Sequence, residues 1–572
     1  MESKKENLST VYTNKAKCRD CNRCVRHCPV KAIRIEKGQA QVIFEKCISC
    51  GTCVLECPQH AKTYQNDTEK VKILLKQGVS IALSLAPSFS GIFNEWEQKR
   101  LPSALRQLGF GFISETAVGA FHCAMLSRNV IENNTNKNHL LTACPAFVNY
   151  IEKYCPELVT SLVPISSPMI IHASILKEKL PRPTKIVFVG PCIAKKDEIK
   201  RKENQGLIDV VLTFEELDEL MKWKNIDISK CEESNFDETP GLLSRTFPLE
   251  GGLLRTAGIN PDLFSANIIS VTGSDEINDI VSTLNNTNES YIIEPLFCKY
   301  GCINGPAIKR DKPKFAVRNK ILEYTAINPG EKEEIQVNNS FVIPNFRAEN
   351  LKYKTEFTEE EIQEVLKISG KTKPEDELNC GACGYNSCRE KTTAVLQGIA
   401  ETEMCVPYMK QLAESKNDLL LKTSPNGIVV LNDKLEILQM NFAFKKMFTC
   451  TDTILGKKIS YLVDPDPFEK LSTGLETEVR KIIKYQNYNI TCHQICYTVP
   501  DEKNYIGIFI DVTDLQSNKE KITEMKNETI VQAQELIEHQ INMAQELARF
   551  LGENTAKGEM LMNNLIDAIK KD

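Results

Sequence analysis

No stretch of this chain is apolar over the roughly 18 to 20 residues that a bilayer-spanning helix requires. The first ten residues are polar and charged and lack the apolar core of a secretory leader, so a cytoplasmic location is expected. A dominant charge sign is missing too. Seventy-one Lys and Arg against 76 Asp and Glu leave a formal net charge of −5, which gives no bulk reason to bind nucleic acid or an anionic membrane. Neither is expected as a partner. A single core is also excluded, because 572 residues correspond to about four domains.

Cysteine is abundant, at 22 residues. In a chain of cytosolic character reducing thiol pools disfavour disulfides, and clustered thiols point to metal. Cys18-x2-Cys21-x2-Cys24-x3-Cys28-Pro29 is repeated as Cys47-x2-Cys50-x2-Cys53-x3-Cys57-Pro58. The repeat resembles the bacterial ferredoxin pattern, in which the fourth thiol of each run serves the other cluster. That resemblance implies Cys18, Cys21, Cys24 and Cys57 for one [4Fe-4S] cluster and Cys47, Cys50, Cys53 and Cys28 for the other, in a domain at 1–70. Zinc is the competing occupant, but its sites use two pairs of ligands rather than two sets of four.

Residues 71–345 read as α/β. Strand-like runs at Val79–Leu85 and Lys185–Val189 each end in a Pro-containing turn, and Ser166–Leu180 reads as a helix. Sites in such folds gather at the carboxyl ends of strands. Three loops carry cysteine: Thr142-Ala143-Cys144-Pro145, Gly190-Pro191-Cys192, and Glu294 through Cys298 to Cys302. Over roughly residues 75–310 they resemble the signature loops of the [FeFe]-hydrogenase catalytic domain. The resemblance implies an active-site cluster, a [4Fe-4S] cube on Cys144, Cys192, Cys298 and Cys302, with Cys302 bridging to a di-iron unit carrying CO, cyanide and a dithiolate. It also implies that Lys195 hydrogen-bonds one cyanide, that Pro87 and Ser88 contact the other, and that Gly251 and Gly252 let backbone approach closely.

The departures from that family bear on function. Its proton-transfer cysteine is replaced by Ala143, and the paired glutamates of the helix upstream by Leu126 and Ser127. Gly190 and Leu296 stand where the family has methionines. A lost general acid–base group typically costs 10²–10⁴-fold in rate. Low turnover is therefore expected, and the changes resemble those of the family's sensory branch. Cys123 is kept as a candidate proton relay outside the usual position.

Cys380-x2-Cys383-x4-Cys388-x16-Cys405, within 355–412, resembles a small [4Fe-4S] domain, with a four-thiolate zinc site as its alternative. Thr358–Lys367 reads as a linker helix, and Lys391–Glu403 as the helix that delivers Cys405. Residues 413–514, with strand-like runs at Ser424–Asp433, Leu435–Met440 and Ile508–Thr513, resemble a PAS domain whose ligand the sequence does not name. Cys492 and Cys496 would share one strand face. From 515 to 572 the charged, helix-forming chain places Ile530, Ala533, Ile537, Ile541, Ala544, Ala548 and Leu551 on an apolar seam, so a coiled coil and a homodimer are expected. His539 reads as a surface side chain rather than a phosphoacceptor.

The fold expected is thus multidomain α/β: a ferredoxin-like module, an α/β hydrogenase-type domain, a small α [4Fe-4S] domain, an α+β PAS domain and a helical coiled coil. The expected cofactors are three [4Fe-4S] clusters and the active-site cluster. The function expected is a redox-linked sensor that binds or slowly oxidises H2, exchanging protons and electrons with a redox partner such as ferredoxin. It would depend on di-iron maturation proteins and signal to a kinase or phosphatase. The alternatives are a catalytic ferredoxin-dependent hydrogenase and a non-catalytic iron–sulfur carrier or assembly protein.

Overall fold

The computed structural model describes residues 9–134, 137–238, 240, 243–260, 266–287, 289–308, 312–327, 344–349, 357–499, 504–513, 534–538 and 540–543. They fall into two compact units, 1–409 and 410–572. Most of the expected 515–572 coiled coil, with His539 and the seam residues Ile530, Ala533, Ala544, Ala548 and Leu551, lies outside the described residues.

The first unit begins with two short antiparallel ribbons. β1 (Val11–Thr13) pairs with β4 (Lys62–Tyr64), and β2 (Ile33–Glu36) with β3 (Gln39–Val42). Between them, each Cys-rich loop turns through left-handed residues, Asn22 in one and Ser49 and Gly51 in the other, before a short helix. These turns fold consecutive thiols back on one centre.

Two parallel sheets follow. In one the order is β6 (Phe112–Glu115), β5 (Ser80–Leu85), β8 (Thr184–Gly190), β9 (Val210–Thr213). Ile81, Ala82, Leu83 and Leu85 are all at most 1% exposed, the continuous apolar run of a strand covered on both faces. The other sheet is β10 (Ile268–Thr272), β11 (Ile292–Leu296), β7 (His139–Leu140). β5 and β8 run side by side in register Leu85↔Val189, and Ala86 N–H closes on Val189 O at 2.8 Å, so their carboxyl ends release neighbouring loops. β7 and β11 likewise release Thr142–Cys144 and Phe297–Cys302 from one edge. The expected helix near Ser166–Leu180 forms at Pro168–Lys179, with proline at its first position.

Residues 357–409 correct two sequence expectations. The helix Glu359–Ile368 is not a linker. Thr358 and Glu361 form its capping box, Leu366 is 1% exposed, and Arg389 on the facing helix bonds Glu359 at 2.9 Å. The helix expected to run to Glu403 covers only Cys388–Leu396. Gly398 then turns the chain at φ +70°, and a 3₁₀ turn at Thr402–Met404 delivers Cys405.

In the second unit five antiparallel strands take the order β13 (Ile437–Met440), β12 (Gly427–Leu431), β16 (Tyr505–Asp511), β15 (Ile490–Thr498), β14 (Glu478–Tyr485). Phe444, Phe448, Phe468 and Phe509 fill the hollow between sheet and helices. Phe448 and Phe509 lie 5.1 Å apart edge to face. Cys492 and Cys496 lie on the core face of β15, both fully buried.

Candidate metal centres

Each Cys-rich loop pair closes on a small cavity. Cys18, Cys21, Cys24 and Cys57 line one, with Arg19, Asp20, Arg23 and Lys62 in its wall. Cys28, Cys47, Cys50 and Cys53 line a second, whose other walls are Val30, Ala32, Ile33, Val42 and Ile48 among apolar neighbours. Cys380, Cys383, Cys388 and Cys405 line a third. Their empty volumes are nearly equal, about 370, 330 and 350 Å³. Backbone N–H groups point at the sulfurs: Ala32 to Cys28 at 3.2 Å, Ser49 to Cys47 at 3.3 Å, Ala61 to Cys57 at 3.2 Å. Such donors favour a charged thiolate over a neutral thiol.

Burial pulls the other way. It pushes Cys24 and Cys47 up to about 11 and Cys50 up to about 12, with neighbouring thiols adding to the effect. Sulfurs so placed stay protonated until a cation lowers the cost of ionising them, so loading the sites releases protons. Among the described residues no three His, Cys, Asp or Glu side chains converge on the single point that a lone ion needs. Four sulfurs spread round a void suit a polynuclear iron–sulfur group better than one zinc ion.

The fourth set is Cys144, Cys192, Cys298 and Cys302. All four are half-buried in the first unit, and each acts on the others electrostatically. Burial drives each thiol upward and the set reinforces itself: Cys192, Cys302 and Cys144 all raise Cys298, and so does Cys50 of the second cavity. Backbone N–H groups of Phe297, Phe147 and Ala146 oppose this at Cys144, which caps the helix Pro145–Tyr154. The ferredoxin-like region is seated against this set. Gly51, at φ +77°, packs so closely that an added Cβ would stand 2.5 Å from Pro306, and Lys153 and Tyr154 bond the carbonyls of Cys47 and Lys46 at 2.9 and 2.7 Å.

Lys195 is half-buried, with 13% of its side chain exposed, and donates to Ser167 Oγ at 3.1 Å and Glu198 Oε2 at 3.0 Å. Burial works against its charge, but Glu198 and the thiols of Cys192 and Cys302 outweigh it and hold the ammonium above its usual range. Lys196 points elsewhere, into a buried structural cluster with Asp67 and Glu216 at 2.8 and 2.9 Å. At the end of β5, Ser88 is 1% exposed and its Oγ has no hydrogen-bond partner among the described residues. An orphaned buried hydroxyl is costly unless a bound group completes it. Pro87 carries no side-chain donor there, and its carbonyl accepts from Ser90 Oγ at 2.9 Å.

Gly251 and Gly252 have a reason closer to home than a ligand. Gly251 sits at φ +73° with its N–H on Ser270 Oγ, and a Cβ on Gly252 would stand 2.2 Å from the carbonyl oxygen of Thr246. Ala143 is half-buried and packs against the core that contains Ala120, Cys123 and Leu141, and Leu126 and Ser127 are buried on the helix Ala117–Glu132. Cys123, on the same helix, bonds Ser166 O at 3.5 Å, and burial pushes its thiol up to about 12, which argues against a ready proton carrier.

Two polar groups escaped the sequence reading. Glu294 is 2% exposed and accepts the N–H groups of Leu253 and Leu254 at 3.0 and 3.1 Å; burial nonetheless raises it to about 7. His172, fully buried, joins Ser84 at 2.7 Å and Ser114 at 3.1 Å, and Ser114 donates to Glu238 at 2.6 Å. His172 belongs to no spaced motif, and Glu294 stands within the third loop, where the sequence reading gives it no role. Glu294 opens the third cysteine loop, and its place at the end of β11 was the one available signal.

The family described as iron only hydrogenase large subunit, C-terminal domain, matches residues 79–306, a 4Fe-4S dicluster domain matches 10–58, and a putative Fe-S cluster domain matches 376–407. Iron hydrogenase 1 of Clostridium pasteurianum is 28% identical over 302 residues, 44% of this chain and 52% of that protein. The chain thus spans about half the length of that curated relative. The cytosolic Fe-S cluster assembly factor NAR1 of Yarrowia lipolytica is 28% identical over 185 residues, covering 29% of this chain and 38% of that protein. A solved [FeFe]-hydrogenase structure aligns over 49% of this chain and 99% of its own at 14% identity and a TM-score of 0.39. Residues 79–306, behind a matching 4Fe-4S dicluster domain, are thus similar to the iron only hydrogenase large subunit, C-terminal domain, and over part of that span to NAR1-type assembly factors as well.

Proposed function

We propose that this protein is a hydrogen- or redox-responsive sensor built on a hydrogenase scaffold. One observation carries the reading. The four thiols at the ends of β7, β8 and β11, the half-buried Lys195 and the orphaned Ser88 hydroxyl are kept, while the position before Cys144 holds only the methyl of Ala143. The binding groups of such a site are present and its proton handler is absent.

Cys144, Cys192, Cys298 and Cys302 are the residues that would hold the cube of the active-site cluster. When bound, that cluster supplies the place where hydrogen is taken up or released. Lys195 would offer a charged donor and Ser88 an uncharged one to anionic ligands of that cluster. The three smaller cavities would hold [4Fe-4S] groups that connect the site to a one-electron partner of ferredoxin type. In the second unit, the strand order and the intervening helices support the PAS reading of 413–514, although its hollow is filled by phenylalanines. The relay would continue into a helical dimer and on to a kinase or phosphatase in the cytoplasm.

The test is anaerobic infrared spectroscopy on protein matured with the di-iron precursor, with and without H2. Expected are CO and cyanide bands that shift with H2, and turnover at least 10²-fold below that of a cysteine-bearing hydrogenase, as for loss of one positioned acid–base group. Absence of the bands would leave an assembly-factor role, in keeping with the NAR1 likeness, as the better reading. Ala143→Cys should raise turnover without altering the bands' number.

A further inference from the structure

The third four-thiol cavity differs from the other two in charge. Its wall contains Lys371 and Lys391 and no carboxylate. The second cavity has no charged residue in its wall, and the first has a single buried lysine, Lys62, beside the exposed Arg19, Asp20 and Arg23. Lys371 is 8% exposed and Lys391 4%. Lys371 Nζ stands 3.2 Å from Cys405 Sγ and donates to Ser369 O at 3.2 Å. Lys391 Nζ donates to Thr402 O at 3.1 Å. Carbonyl oxygens satisfy some of the N–H groups but do not neutralise the two charges.

Two buried ammonium groups without a paired carboxylate are costly, by several kcal/mol per ion in ordinary cases. The cost is offset only if the cavity holds negative charge, which four thiolates round an iron–sulfur core provide. Reduction makes that core one unit more negative. Cations within contact distance therefore favour the reduced form, as an opposite charge within about 4–6 Å shifts an acid by one to three units.

The cavity also abuts the second one. Tyr385, 2% exposed, lines the third cavity and packs in one core with Cys24 and Cys28. Lys31 and Arg26 of the ferredoxin-like region bond the carbonyls of Gly384 and Ala382 at 2.9 and 3.2 Å. The second cavity in turn adjoins the active-site thiols through Cys50 and Cys298.

We propose that Lys371 and Lys391 hold the third centre at a higher reduction potential than the two ferredoxin-like centres, so that an electron released into the chain comes to rest there. The step is a single-electron one. The third centre is reduced, a low-potential donor is oxidised (reduced active site in the protein, dithionite in the test), and no bond or proton moves. The electron then sits beside Val406, the first residue of the helix Val406–Thr423. The inference rests on reading the cavities as iron–sulfur sites and deepens the sensor proposal by naming where its redox state is stored.

The test is an EPR-monitored redox titration of the full-length, iron-loaded protein with dithionite. Cys388→Ala identifies the third signal as the one it removes. In the unsubstituted protein that signal should titrate at a higher potential than the signals of the two ferredoxin-like centres, which Cys24→Ala and Cys53→Ala identify in the same way. Lys371→Met and Lys391→Met should each move its equilibrium about tenfold toward the oxidised form, or about 59 mV for one electron, and leave the other two signals in place. Lys371→Arg and Lys391→Arg should retain the original value. A third signal at or below the others, one unmoved by both methionine variants, or no iron signal lost in Cys388→Ala overturns the proposal. If the methionine variants load less iron, the order of potentials in the unsubstituted protein still decides. Infrared bands report the di-iron reading independently, so either idea can fail alone.

Discussion

Glu294 shows most directly how this site weighs burial against hydrogen bonding. Two backbone donors stabilise its carboxylate, yet burial wins and lifts it to about 7. Its folded-state value thus lies above its unfolded one. The protonated form is preferred in the fold, and the associated stability is present below about pH 4.5 and lost as pH rises through about 7. At about 1.4 kcal/mol per unit, the ionised carboxylate costs on the order of 3 kcal/mol at pH 8. Glu294→Gln should therefore melt higher than the parent at pH 8, with the advantage shrinking toward pH 5.5. Anaerobic circular dichroism melts at the two pH values would measure it, and an advantage that stays constant with pH would refute the sign. Nothing in the sequence announces this, because a raised pKa comes from tertiary enclosure. The cysteines are the opposite case. Spacing gathered Cys380, Cys383, Cys388 and Cys405, and the ferredoxin resemblance exchanged Cys57 and Cys28 between the two N-terminal runs; each set lines one of the three small cavities. Ser88 was named from a resemblance, and only the fold shows its hydroxyl unpartnered.

Among the elements, those that carry the site are the ones the sequence displays best. β5 and β8 are mostly apolar, with Ser84 the one buried polar break in β5, because parallel strands are covered on both faces. β7, two residues long, has no pattern to read, and β14, a sheet edge rich in Lys and Arg, is mostly exposed and conceals its strand character. The loop before the helix Gly252–Thr256 was read for the right residues and an incomplete reason. Its glycines admit the chain's own backbone, with Thr246 O in the space a Cβ would take. Gly252→Ala must push that backbone away and disturb the helix whose N–H groups hold Glu294. Overpacking of this kind costs about 1–3 kcal/mol. The variant should melt several degrees lower, and the loss should be smaller in a Glu294→Gln background, where the carboxylate that depends on the helix is already gone. Equal losses in both backgrounds would show that the two features are uncoupled.

At the scale of the molecule, the ferredoxin-like region and the active-site domain are held together by polar contacts. Ser49 and Thr10 both bond Asp197, and Lys196 ties Asp67 to Glu216 in a buried cluster. All four cysteine sets fall within the first compact unit, 1–409, as do the described wall residues of the three small cavities. A chain cut after Thr423, which keeps the whole helix Val406–Thr423, should consequently fold and bind the same iron and sulfide per chain as the full-length protein. Its EPR signals should be unchanged in number and in order of potential, because every wall residue of the three cavities is retained. What it should lose is any hydrogen- or redox-dependent effect on a downstream partner, since the five-stranded sheet is gone. Iron and sulfide analysis separates the outcomes. A loss of about four irons would mean that the third site requires the second unit, and the division into a metal-bearing unit and an output unit would then be wrong.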